Sequence, residues 1–284
     1  MVAIQPVRRF GQAIQDRAGR FADLANMPMF LGRVCYHLVL DIPLRRKYGK
    51  TIVRQISDIS IGVGALVLGG GMVFVVFSMS FFTGLQVGMQ GYPGLERIGV
   101  ESFTGLVASF ANVREVTPII AGVALIAQVG SAFTAEIGAM RISEEIDALE
   151  VMGINSLAFL VCTRIIAAVA ALVPLYLLSL FASFFATRFI TIHYFGLSPG
   201  IYDYYFHLYL PPIDVLYSVI KVAVFAFIVV FVHCYRGYYA YGGPVGVGVA
   251  TGRAIRESSV AIIVMNLILS YIFWGNGGTV RLTG

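Results

Sequence analysis

Charge-free apolar stretches divide the chain at first reading. Asp58 and Glu96 bracket the first, which predicts a span at about 59–82 with further apolar residues outside it. Arg114-Glu115 and Glu136 bracket a second, Arg164 and Arg188 a third with Pro174 inside it, and Glu257 and Arg281 the last. A fourth stretch, about 213–235, carries Asp214 near one end and Lys221 a third of the way in. Its run Val222–Val232 still marks a span, because a lysine stem can snorkel toward the nearer interface. A helix needs about 20 apolar residues to cross about 30 Å of hydrocarbon. The pattern predicts five membrane helices in an all-α integral membrane protein.

Composition agrees and excludes other classes. Of 284 residues, 12% are charged and 58% hydrophobic, with a mean hydropathy of +0.83. Ordinary globular domains carry about 25% charged residues. A cytosolic enzyme, a disordered chain and a fibrous repeat are excluded. Cys35, Cys162 and Cys234 lie far apart without a CxxC, which speaks against a disulfide framework or a zinc site.

Basic residues set the orientation. With the N-terminus in the cytoplasm, fifteen Lys and Arg fall inside and four (Arg97, Arg114, Arg188, Arg281) fall outside. By the positive-inside rule the N-terminus is cytoplasmic and the C-terminus extracytoplasmic, in the inner (plasma) membrane. Residues 1–58 carry ten basic residues and no sustained apolar core or small-residue cleavage site, so they do not read as a secretory signal. Val7, Phe10, Ile14, Phe21 and Leu24 recur at near-helical spacing with arginines between them. That suits an amphipathic helix lying in the cytoplasmic headgroup layer, or alternatively a solvated basic helix. Pro28 and Pro43 divide the segment. Residues 59–284 form the span region.

Enzyme signatures are absent. The four histidines show no metal-ligand spacing, no GxSxG occurs, and Gly49-Lys50-Thr51 lacks the rest of a phosphate loop. Tyrosines and phenylalanines at 194–209 read as an interfacial aromatic belt. Gly62, Gly64, Gly69, Gly70 and Gly71 read as close-packing positions within the first span. The glycines between Tyr235 and Glu257 predict a loop of tight turns, read as a phosphate loop or, preferably, a contact with a neighbouring subunit. Arg114, Glu115, Pro118 and Glu136 stand at the ends of the second span. Ionisable groups at that depth are functional by default, although pairing with another helix for structure is the equal alternative. Consecutive Arg114 and Glu115 point to different sides of a helix, so they are not expected to pair with each other.

One segment contradicts its basic surroundings. Ser143 fits an N-cap, Glu144 and Glu145 suit a first turn, and Gly153 suits a stop. Ile142, Ile146, Leu149 and Met152 share one stripe, while Glu144, Glu145, Asp147 and Glu150 form an acidic remainder. Anionic lipid would repel this helix of about 143–152, and a basic, partly apolar groove on another protein would attract it. A solvated linker is the alternative.

Val129-Gly130-Ser131-Ala132-Phe133-Thr134-Ala135-Glu136-Ile137-Gly138-Ala139-Met140-Arg141, continuing into Glu144-Glu145-Ile146-Asp147-Ala148-Leu149, resembles the MlaE/YrbE permeases of ABC lipid transporters that work with MCE-domain proteins. Arg114-Glu115-x-x-Pro118, Gly237-Tyr238 and Gly246-Val247-Gly248-x-Ala250-Thr251 extend it, and in detail the chain resembles an actinobacterial B-type YrbE subunit. The resemblance implies a non-catalytic permease. A paralogous A-type permease, or a second copy, would complete a dimer carried on two cytoplasmic ATPases that bind ATP and Mg. An MCE assembly would sit on the outer side. The cargo would be a hydrophobic lipid (fatty acid, phospholipid, mycolate-type lipid or sterol), with no nucleic acid and no metal or cofactor on this chain. It makes the acidic helix the coupling helix, with Ser143, Glu144, Glu145, Ile146, Asp147, Leu149 and Glu150 facing the ATPase. Gly130, Ser131, Glu136, Gly138 and Arg141 carry the family pattern. Arg114, Glu115, Pro118, Gln128 and Asn266 are the candidates for the lipid path. Gln128 and Asn266 stand where many relatives have Arg and Asp. The rival readings are a lipid-modifying membrane enzyme using Glu136 and a histidine, and an ion-coupled lipid carrier using Lys221, Glu115 and Glu136.

Overall fold

The structure, a computed structural model, describes residues 27–38, 48–60, 62 and 71–275. The amphipathic stretch expected before residue 27 lies outside the described residues, as does the tail after residue 275. Among the described residues every regular element is a helix. We number them α1 (27–38), α2 (Gly49–Ser60), α3 (Met72–Glu96), α4 (Glu101–Ile142), α5 (Glu145–Val151), α6 (Leu157–His193), α7 (Pro199–Leu208), α8 (Pro212–Tyr238) and α9 (Gly243–Trp274). Five of these, α3, α4, α6, α8 and α9, are long and apolar enough to cross a membrane.

The number of spans matches expectation, but several boundaries move. The first span runs Met72–Glu96 rather than 59–82. The uncharged interval after Asp58 is nearly two membrane lengths, so charge alone left the register open. Its second half holds the better helix formers, while glycines crowd the first. The glycines expected inside this span therefore precede it, and residues 63–70 lie outside the described residues.

Helix α4 begins at Glu101 and so carries Arg114 and Glu115 within it, not at its start. Their charges are tolerated there because α8 supplies opposite charges to both. Helix α9 begins at Gly243, which reduces the expected glycine loop to a turn around Tyr239–Gly242. Gly242 and Gly243 turn the chain at φ 89° and 71°. Gly246 then passes so close to the Tyr241 carbonyl that a Cβ would lie 1.7 Å from its oxygen.

Packing is tightest between α3 and α6. Val76, Ser80, Gly84, Gly88 and Tyr92 are the buried positions after Met72 on α3, four residues apart, against Ser179, Ser183, Thr187 and Thr191 on α6. A Cβ on Gly84 would meet the Ser183 carbonyl at 2.4 Å, Ser80 and Ser179 hydroxyls sit 2.6 Å apart, and Thr187 donates to the Gly84 carbonyl at 2.8 Å. Close backbone approach of this kind substitutes for the hydrophobic effect where both helices face lipid.

At 42 residues α4 would reach about 63 Å if straight, roughly twice the hydrocarbon thickness. Its first turns are covered by α7, whose Tyr202 carbonyl would lie 2.4 Å from a Cβ on Gly105. Part of the expected aromatic belt is thus a folded helix: Tyr202 is buried, while Tyr194 and Tyr204 remain exposed. Arg188 clamps α7 to α6 through two 2.9 Å bonds to Asp203. Those bonds hold the Asp203 carboxyl below its usual range, against the opposing effect of partial burial.

At the opposite end, α1 and α2 lie against the bundle. Phe30 and Val34 of α1 are buried, with the Phe30 ring 5.2 Å from that of Tyr235. Cys162 and Cys234 are buried and Cys35 is exposed, all as free thiols.

Candidate functional site

Three polar layers interrupt the apolar bundle, and α4 contributes side chains to all of them. The first is nearest α7. Proline has no N–H, so Pro118 deprives the carbonyl of Arg114, four residues earlier, of its ordinary helical donor. The helix widens there into a π-helical turn over Asn112–Val116. The Lys221 ammonium of α8 donates to that carbonyl, to Ser270 Oγ at 2.7 Å and to Glu115 Oε1 at 3.4 Å. Lys221 is fully buried, whereas the Glu115 side chain is 45% exposed. Asn266 and Ser270 of α9 also donate to the Glu115 carboxylate. Arg114 turns the other way, bonding Asp214 at 2.7 Å and lying 3.8 Å over the Phe110 ring, and Trp274 Nε1 donates to Asp214 at 2.9 Å. Arg114 and Glu115 thus part company as expected, each paired with a charge on α8. Two cations and two carboxylates balance.

The second layer explains Gly130 and Gly138 by packing. The imidazole of His233 is buried between Thr134, whose Oγ1 is 2.7 Å from Nδ1, and Ser258, whose Oγ is 3.2 Å from Nε2. A Cβ on Gly130 would lie 2.7 Å from that ring, and one on Gly138 would lie 2.8 Å from Val247. A second π-helical turn, Ile126–Gly130, lets α4 pass the ring. Ser131 returns its hydroxyl to the Ala127 carbonyl. Gln128 is exposed and lines a cavity that α4 shares with α2, α3 and α6. Closer to α5, Glu136 accepts from the buried guanidinium of Arg164 at 3.0 Å, and Arg236 grips Glu257 through bonds of 2.7 and 2.6 Å.

The third layer is α5 itself, shorter than the expected 143–152. Ser143 closes α4 instead of capping α5: its hydroxyl donates to the Ala139 carbonyl and to Glu145. The chain reverses at Glu144, which adopts φ 61°. Two side chains fasten α5 at its two ends. Asp147 accepts from Arg141 at the end of α4 at 2.8 Å. Glu150 accepts from Ser156 at 2.7 Å and from the Tyr238 hydroxyl at 3.3 Å. Ile146 is fully buried, and Leu149 packs partly against the core. The other members of the expected apolar stripe, Ile142 and Met152, are exposed with Val151, beside exposed Glu144 and Glu145.

The charges of the ion-coupled reading do not form one group. Lys221 and Glu115 meet, but Glu136 is 21 residues along α4 from Glu115, about 32 Å of helix rise. Nor do Glu136 and His233 hydrogen-bond among the described residues, since each is bonded elsewhere. Sequence reasoning missed Ser270 and Trp274, His233 with Thr134 and Ser258, and the Arg236–Glu257 pair. Asn266, Ser270 and Trp274 at i, i+4 and i+8 form a polar-edged stripe on an apolar helix, a legible signal.

Similarity to known proteins covers the membrane-spanning region. The family model "Permease MlaE" matches residues 63–272. The chain is 32% identical over 255 residues to a probable ABC transporter permease protein of Rickettsia prowazekii, covering 90% of this chain and 94% of that protein. It is 26% identical over 251 residues to the intermembrane phospholipid transport system permease protein MlaE of Haemophilus influenzae, covering 87% and 93%. A 199-residue match at 32% identity reaches the chloroplastic protein trigalactosyldiacylglycerol 1 of Arabidopsis thaliana, covering 70% and 57%. With three quarters of its length matched by one family model, the chain belongs to the MlaE permeases.

Proposed function

We propose that this chain is the membrane subunit of an ATP-driven transporter of hydrophobic lipid in the inner membrane, with α5 on the cytoplasmic side as the element that receives force from a separate ATPase. ATP and Mg bind that partner, and this chain performs no chemistry of its own. The observation that carries the reading is the mounting of α5. Ile146 anchors it, Arg141–Asp147 ties it to α4, and Glu150–Tyr238 ties it to α8. Glu144, Glu145, Val151 and Met152 are left outward for a basic, partly apolar groove. Glu150 belongs to the mounting rather than the docking face.

Helix α9 has only 17% of its apolar window buried within the chain, against 56% for α4. That difference supports a second permease, a paralogue or another copy, against the exposed face of α9. The Glu115 carboxylate, half-exposed on that side, would line the lipid path, and an MCE assembly would receive or deliver lipid beyond α7. The relative from Haemophilus influenzae, named for phospholipid, supports that class of cargo.

The test is the double reversal Glu144→Lys with Glu145→Lys. It should abolish co-purification of the ATPase while the permease still inserts and elutes as the parent does. Co-purification at the parental yield would refute the assignment of α5.

A further inference from the structure

A cavity of about 250 Å³ lies between α2, the start of α3, α4 and α6. Gln55, Asp58, Gln128, Glu136 and Arg164 supply its polar lining, and Phe133 belongs to its apolar wall. Glu136 is six residues from the end of α4 and Arg164 seven from the start of α6, each about 10 Å of helix rise from the α5 end. On the orientation proposed above, which this inference adopts, that is the depth at which cytoplasmic-leaflet lipids change from headgroup to acyl chain. The first polar layer, around Glu115, is about 30 Å further along α4.

We propose that this cavity binds the headgroup of a cytoplasmic-leaflet phospholipid and selects a head that carries an N–H-bearing ammonium. Two features set that chemistry. The lining holds two carboxylates and one guanidinium. Arg164 is spent on Glu136 and on the Leu160 carbonyl, and Arg54 reaches Asp58 only at 3.9 Å from a side chain that is 85% exposed. An anionic head would face an excess of negative charge. Second, two polar atoms of the lining residues are buried without a hydrogen-bond partner, the Nε donor of Arg164 and the Oε1 acceptor of Gln55. A phosphoethanolamine head brings phosphate oxygens for the first and ammonium hydrogens for the second. Phosphocholine has no N–H to offer, and phosphoglycerol offers hydroxyls but adds an uncompensated charge beside Asp58 and Glu136. Phe133 and its apolar neighbours would continue along the glycerol and the first methylenes.

The test uses the full chain in detergent with phosphatidylethanolamine, phosphatidylcholine and phosphatidylglycerol that share acyl chains and carry a photoreactive group near the glycerol. Adducts are mapped by mass spectrometry. Phosphatidylethanolamine should label peptides containing Met72 or Ala132 about tenfold more than either competitor. Ala132→Trp, which fills the cavity from a small lining residue, should remove that labelling, and Ala132→Leu replaces it if the tryptophan prevents folding. Glu136→Gln should bring the ethanolamine-to-glycerol ratio toward one, an effect that a purely structural role for Glu136 would not produce. Equal labelling by the three lipids, labelling unchanged by filling the cavity, or a ratio unmoved by Glu136→Gln would each overturn the proposal. Failure here with the ATPase still bound to the parent refutes this site alone. Head selectivity that persists in a chain whose ATPase ignores the Glu144 and Glu145 reversal refutes the coupling reading alone.

Discussion

Replacing Lys221 by Met tests whether the charge balance of the first layer is structural. The substitution keeps the volume of the stem and removes three donated hydrogen bonds, to the Arg114 carbonyl, Glu115 and Ser270. Removing one partner of a fully buried ion pair costs about 3–5 kcal/mol, mostly because the other charge is stranded. Here the discount is visible. Glu115 keeps its bonds from Asn266 and Ser270 and is 45% exposed, which lowers the expectation to about 2–3 kcal/mol. At about 2–4 °C per kcal/mol, the melting midpoint should fall by about 5–10 °C. The assay is thermal unfolding in detergent followed by monodispersity on size exclusion. Adding Glu115→Gln removes the stranded charge but keeps an acceptor for α9, so the double variant should recover about half of the loss. A midpoint for Lys221→Met within about 1 °C of the parent, or no recovery in the double variant, would refute the reasoning.

Other perturbations address packing and pH. Gly84→Leu places side-chain atoms where the Ser183 backbone already lies, 2.4 Å from a Cβ, and should lower the melting midpoint more than Gly94→Leu, which meets open space within 4 Å. Gly130→Ala should cost about 1–3 kcal/mol through the His233 ring, and less in a His233→Ala background, as thermal unfolding would show. Because Arg188 lowers the Asp203 carboxyl, the clamp of α7 onto α6 contributes fully above the ordinary aspartate range, near pH 4, and is lost as pH falls through the lowered value. Hydrogen exchange over 199–208 should therefore accelerate at acid pH in the parent and lose that pH dependence in Asp203→Asn.

The sequence carried the number of spans because a scarcity of charge is a one-dimensional property. Boundaries were less legible for a physical reason: charge marks where a span ends only when the charge is solvated. Arg114, Glu115 and Arg164 each find a partner within the bundle, so they sit inside helices that the charge-free windows cut short. The same fact hid half of the candidate site. Partners of Glu115 lie 106, 151 and 155 residues away in the chain, and only folding brings them together. Within single helices the reading succeeded better, as with the opposed directions of Arg114 and Glu115. The exception is Ser143, where a residue type that favours N-caps instead closes α4 at its C-terminal end. Ser and Thr side chains serve both ends of a helix by bonding nearby backbone, and composition does not choose between them.

The polar layers also bear on how a push at α5 would be felt elsewhere. Two helices are tied to α5 by side-chain bonds, α4 through Arg141–Asp147 and α8 through Tyr238–Glu150. The same two helices carry Glu115 and Lys221 in the first layer. A movement of α5 that carries α4 and α8 together leaves that pair intact. A movement that turns one against the other must stretch it, and the stretched bond would lie beside the exposed face of α9. The π-helical turns at Asn112–Val116 and Ile126–Gly130 are the places where α4 can absorb such a twist, since a wide turn can shift its bonding by one residue without breaking the helix. Glu115 lies within the first of these turns, and His233 packs against the second at Gly130. On the proposed reading, then, force enters α4 at its α5 end and is felt at the other, and the Lys221–Glu115 pair is where a difference in motion between α4 and α8 becomes a change in the charge presented to lipid.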